Sequence, residues 1–144
     1  HHFEDKKALF RAVIEREAMA VAFDIDRGAA SAATPRDALI SGASAYFAAM
    51  AVEGRARLML LEAPAVLGVE RTAEIDRDNG EDRLREGVSD YLGAAVSADE
   101  VRVVTNLLSS AFDRAVLEIE RGGDRSLYEA AIERLIDGLI PRSR

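Results

Sequence analysis

Apolar residues recur every three or four positions along almost the whole chain, and nowhere do they alternate with polar ones over the length of a strand. A spacing near 3.6 puts such residues on one face of an α-helix, whereas a half-buried strand needs a period of two. Ala, Leu, Arg and Glu dominate, and these are good helix formers. Asn79-Gly80 is a hairpin-type dipeptide, but charged residues flank it on both sides. The pattern predicts an all-α protein.

Local signals divide the chain into helices. Leu9, Phe10, Val13, Ile14, Ala18, Val21 and Ile25 form one stripe, which predicts a helix from about Glu4 to Arg27, with Glu4 and Asp5 at the positive end of its dipole. Thr34-Pro35-Arg36-Asp37 opens a second helix, with Thr34 as cap and Pro35 at the first helical position. A short apolar helix follows from Arg55 to Glu62, and Pro64 and Gly68 predict a break after it. A longer helical stretch runs from about Val69 to Val96, interrupted or kinked at Asp78-Asn79-Gly80. Ser97-Ala98-Asp99-Glu100 is a capping box for a helix reaching about Arg121. Gly122-Gly123 breaks the chain, and a last helix carries Leu127, Tyr128, Ala131, Ile132, Leu135, Ile136, Leu139 and Ile140 up to Pro141.

The last two helices carry more apolar surface than one face each. Val101, Val104, Leu108, Ala111 and Ala115 form one row, and Val103, Leu107 and Ser110 another. Such helices have two neighbours to bury against. A two-fold dimer, in which each chain gives both helices to a four-helix bundle, accounts for this. The alternative is that both pack only within one chain.

Composition narrows the function. At 144 residues the chain fits one domain. The net charge of −7 argues against a broad phosphate-gripping surface. There is no cysteine, and both histidines are at the very start, so neither a Ser-His-Asp constellation nor a Glu-x-x-His metal site is available. No Gly-x-Gly-x-x-Gly or P-loop occurs. The sequence calls for no enzyme activity, no cofactor and no metal. No apolar run suits a membrane span or signal peptide, which points to a cytoplasmic protein. Its bases are arginine apart from Lys6 and Lys7, a bias that with abundant alanine suits a high-GC bacterial source.

Two blocks carry a family resemblance. Phe3, Lys6 and Leu9-Phe10, after His1-His2, resemble the junction that ends the DNA-binding region of TetR-type transcriptional regulators. Leu61-Glu62-Ala63-Pro64-Ala65-Val66-Leu67-Gly68 looks like the Asp-Ala-Pro-Ala-Val-Leu-Gly turn of many TetR-type C-terminal domains, although the aromatic that often follows the glycine is absent from Val69-Glu70-Arg71. Glu74-Ile75-Asp76, Leu84-Arg85-Glu86-Gly87 and Ile132 to Leu139 are similar to the family as well.

The resemblance implies a ligand-binding and dimerisation domain over residues 4–144, with 1–3 ending a helix-turn-helix head of roughly 45 further residues. It implies a repressor that senses a small apolar or amphipathic effector, is a homodimer, and meets operator DNA only through that head. The alternative is a dimeric helical protein-interaction module with no ligand. The implied ligand residues are Phe23, Tyr46, Phe47, Met50, Met59, Tyr91, Asn106 and Phe112, each of which also suits ordinary core. The implied dimer contacts are Val104, Leu108, Ala111 and Ala115 with Leu127, Tyr128, Ala131, Leu135 and Leu139. Lys6 would touch DNA phosphate, or is simply solvated.

Overall fold

The computed structural model describes residues 5–141. The expected end of a DNA-binding head at residues 1–3 lies outside them. Every regular element among the described residues is helical. Helix α1 is Lys6–Ala29, capped by Asp5, whose side chain accepts from the Ala8 N–H at 2.7 Å. Helix α2 is Pro35–Met50, capped by Thr34 as its sequence predicts. Short α3, Arg55–Arg57, leads into a π-helical turn, Leu58–Glu62, and then α4, Ala63–Leu67. Helix α5, Val69–Asp76, passes through a second π turn, Arg77–Glu81, into α6, Asp82–Leu92. Helices α7, Ala98–Glu120, and α8, Arg125–Asp137, complete the chain.

A π turn lies just ahead of the first expected break and another at the second. Pro64 does not end its helix. The Ala63 N–H reaches back to the Leu58 carbonyl, and Pro64, with no N–H to give, follows at once. A wider turn relieves the clash between the proline ring and the preceding carbonyls. The true stop is Gly68, whose φ of 89° and ψ of 155° suit only glycine; its carbonyl then accepts from Thr72 N–H and Oγ1. Asp78-Asn79-Gly80 likewise widens its helix without ending it. The Asn79 amide donates to the Ile75 carbonyl at 2.7 Å, and Arg83 donates to the Asn79 carbonyl at 3.0 Å. These side chains occupy carbonyls that the irregular turn leaves short of backbone partners.

Other ends follow their local chemistry. The Ser97 hydroxyl accepts from the Glu100 N–H. At the end of α7 the Gly123 N–H bonds to Glu118 O and the Gly122 N–H to Ile119 O, with Gly122 at φ 103°, which is a Schellman closure. Helix α8 stops at Asp137, earlier than its apolar pattern predicts, so Leu139 and Ile140 lie beyond it.

Burial falls into two clusters. The larger joins α2, α6, α7 and α8 around Leu39, Phe47, Val88, Leu108, Phe112 and Ile136. The smaller joins α1, α4 and α5 through Ile14, Ala18, Ala63, Leu67 and Ile75. Helix α1 serves both, since its Val21 belongs to the larger cluster, and Met59 packs against each. Helix α1 lies close on α2: a Cβ on Gly28 would meet the Ala45 Cβ at 2.5 Å, so this crossing has no room for a side chain. Arg36, at the start of α2, holds the end of α8 by ion pairs to Asp137 at 2.6 Å and Glu133 at 2.7 Å.

Candidate functional site

Two cavities occupy the seam between the clusters. The first, about 240 Å³, has Ile25 and Ala29 of α1, Leu39 and Ala43 of α2, Leu84 of α6 and Phe112 of α7 in its walls. The second, about 190 Å³, is walled by Ile14, Ala18 and Val21 of α1 with Met59, Leu60 and Ile75. Tyr46, Asp76, Gly80 and Asp113 line both, so the chambers meet at these four residues. Each chamber alone is smaller than a typical ligand pocket of ~300–1,000 Å³, but they adjoin.

The junction is polar. Tyr46 of α2 donates its hydroxyl to Asp113 Oδ1 of α7 at 2.6 Å. Asp76, at the end of α5 where the π turn begins, faces both chambers. Asp76 is an exposed residue whose side chain borders both chambers. Burial, with repulsion from Asp113 and Glu81, pushes the Asp76 carboxyl up to about 7, against a smaller pull from Arg77. Burial also raises Asp113, opposed by the hydrogen bond from Tyr46. The Tyr46 phenol is held well above its ordinary value by burial and the Asp113 charge. Tyr46, Phe47 and Phe112 pack as a triangle with centroids 6.2–6.4 Å apart, and Phe47 and Phe112 meet edge to face.

The arrangement suits binding: apolar walls with a few convergent polar groups that fix orientation. Among the described residues no group of three or more acidic or histidine side chains is placed to hold a metal ion. No helix among them is long and apolar enough to cross a membrane.

The family model described as "Tetracyclin repressor-like, C-terminal domain" matches residues 36–141. The chain belongs to this family. The match starts within α2 and takes in every later element, including the acidic junction; α1 precedes it. No curated protein matches the chain.

Within this tetracycline-repressor-like domain the sequence-predicted ligand residues separate into three groups. Tyr46 and Phe112 line the first chamber, and Tyr46 and Met59 the second. Phe47 and Met50 are buried in the larger cluster behind the walls, and Tyr91 hydrogen-bonds to the Ile136 carbonyl at 2.9 Å. Phe23 and Asn106 lie on the surface, outside both chambers. Phe23 is 60% exposed, with the Arg27 guanidinium over its ring, because the cavity-facing stripe of α1 runs through Ile14, Ala18, Val21 and Ile25. Asn106 follows Thr105, which takes the inward position and bonds to the Val101 carbonyl, so the amide points away.

The row expected at a dimer interface on α7 is largely occupied within the chain. Leu108 and Ala115 are buried in the chain's own core, and Val104 and Ala111 pack against it. The neighbouring row is the free one: Val103 is 47% and Leu107 67% exposed, and Ser110 is exposed. On α8, Leu127, Ala131 and Leu135 are exposed, whereas Tyr128 and Leu139 pack on the core. Lys6 is exposed at the start of α1. Sequence reasoning missed Asp76 and Asp113. The sequence clues nearest to Asp76 were the family-like Glu74-Ile75-Asp76 and Asp78-Asn79-Gly80, which flags the irregular turn beside it.

Proposed function

We propose that this domain is the effector-sensing and dimerising part of a ligand-responsive transcriptional repressor, cytoplasmic, with operator contacts made by a helix-turn-helix head on the N-terminal side of α1. The observation that supports this most is the cavity at the seam, because α1 forms one wall of both chambers. A small amphipathic ligand entering the seam presses on α1 along its length. If it fits one tilt of α1 better than another, it shifts the population between them. A difference worth ~1–3 kcal/mol changes DNA affinity about 5–150-fold.

Dimerisation uses the surface left free on the last two helices, Val103, Leu107 and Ser110 with Leu127, Ala131 and Leu135. Two copies packed this way bury both rows in one four-helix bundle. Lys6 contacts DNA phosphate from the head end of α1.

The test uses the chain joined to whatever its gene encodes before residue 1. Light scattering should give a dimer at micromolar concentration, and Leu107→Asp should halve the mass while helical content persists. The dimer should bind DNA from its own upstream region, and a ligand that fills the cavity should weaken that binding. A monomer, or DNA affinity that no cavity ligand moves, overturns the reading.

A further inference from the structure

The chemistry of the seam is one-sided. Six carboxylate residues and one arginine line the first chamber, and the only charged residues lining the second are Asp76 and Asp113. The arginine is already engaged: Arg83 Nε meets both Asp26 carboxylate oxygens at 3.0 and 3.1 Å, and another of its nitrogens holds the Asn79 carbonyl. Most other wall donors are engaged as well, the Ser109 hydroxyl of the first chamber excepted. Tyr46 gives its proton to Asp113, Asn79 to the Ile75 carbonyl, and Thr72 to the Gly68 carbonyl. Asp76 is different. It lines both chambers, and no side chain among the described residues donates a hydrogen bond to it.

Asp76 is exposed to the two chambers rather than enclosed, and a carboxylate lining two largely apolar cavities with no side-chain donor is left with its charge unbalanced, which a proton or a cation offsets. An anionic ligand would add repulsion and find little to bind it. A bare metal ion needs several converging oxygen ligands, which are not assembled here. An organic cation meets both demands, since it brings one positive charge to the junction and apolar substituents to walls such as Leu39, Leu84, Met59 and Ile75. The faces of Tyr46 and Phe112 beside the junction add cation–π attraction.

We propose that the effector is an amphipathic organic cation whose nitrogen sits against Asp76 and Asp113 where the two chambers meet, with its apolar parts in the chambers. This rests on the reading of the seam as the effector site. Binding has a proton consequence. The pair is faced by Tyr46 from α2, by Glu81 and Arg77 from the π turn, and across the first chamber by Glu86 and Asp90 of α6 and the Arg83–Asp26 pair. In the empty cavity near neutral pH the pair retains a proton part of the time, so an entering cation expels it.

Three probes that differ only in head group test this by calorimetry on the whole chain: octylammonium, octanol and octanoate. Octylammonium should bind at least about 10-fold tighter than octanol, with octanoate weakest. Octylammonium binding near pH 7 should release protons, read from the dependence of the heat on buffer ionisation, and octanol binding should not. Asp76→Asn and Asp113→Asn, made separately, should each weaken octylammonium about 10-fold and leave octanol unchanged. Octanol or octanoate binding as tightly as octylammonium overturns the charge inference and leaves the effector site standing. So does an octylammonium affinity indifferent to both substitutions. If none of the three binds, the effector-site reading falls with it.

Discussion

The two apolar clusters contain the same kinds of residue and are built differently. The larger one draws mostly on long regular helices, α2, α7 and α8, with α6 packed across them. Ile136 and Val88 are fully enclosed there. The smaller one sets one face of long α1 against short segments around two π turns, and its Ile14, Ala18 and Ile75 border the second chamber. Regular helices repeat one face turn after turn and so pack closely, although Leu39, Ala43 and Phe112 of the larger cluster border the first chamber. A π turn adds a residue and breaks that repeat, and such turns occur often at functional sites. Here the unfilled volume, and the polar junction within it, lie where the regular cluster meets the irregular one.

The comparison can be broken by one substitution made in both places. Ile136→Ala should cost about 2–5 kcal/mol, since it opens a new hole among packed side chains. Ile75→Ala and Ile14→Ala should fall toward the lower end of that ~2–5 kcal/mol range, because the lost volume joins existing space and the surroundings can relax into it. Urea denaturation measures all three. Equal costs would mean that the seam is as tightly built as the core.

A smaller effect is expected where α1 crosses from one cluster to the other. Gly28→Ala should destabilise by about 1–3 kcal/mol, because the new methyl must push α1 away from Ala45. Cavity ligands should also bind to it with altered affinity, which calorimetry on the variant checks. An unchanged melting temperature would show that α1 is free to shift there.

The smallest stability effect is the titration of the junction, because Asp76 is exposed and solvent screens its charge. The folded carboxyl of Asp76 lies near 7, above its unfolded value of 3.8, so the folded state holds its proton more tightly. Stability from this group is therefore greatest below about pH 4 and is lost as the pH rises toward 7. Asp76→Asn removes that loss. Its melting temperature should exceed that of the natural chain by a few degrees at about pH 8, by less at about pH 5, and not at all below about pH 4. A pH-independent gain would show that the effect is one of packing.

Much of the fold was legible because its determinants are local. Thr34, Pro35, Ser97 and Gly122-Gly123 act on backbone groups within a few residues, and each marks an end where the sequence expects one. Pro64 and Asn79-Gly80 were legible as irregularities but not as π turns, because neighbouring turns decide whether a widened helix continues. The candidate site was legible only in its aromatic and thioether walls, Tyr46, Phe112 and Met59. Asp76 and Asp113 look like ordinary helix-surface carboxylates in a chain with many of them.

The apolar period and the end signals by themselves determined that the chain is helical, roughly where each helix starts and stops, and that α7 carries two apolar rows. Periodicity is a property of one helix. It does not say which row meets the chain's own core. Tertiary packing decided that Leu108 turns inward and Leu107 outward, that Phe23 leaves the cavity wall, and that three residues from α2, α5 and α7 share one polar junction. The physical reason is that burial and charge coupling depend on distances between elements far apart in sequence, and those distances exist only once the two clusters have closed on each other.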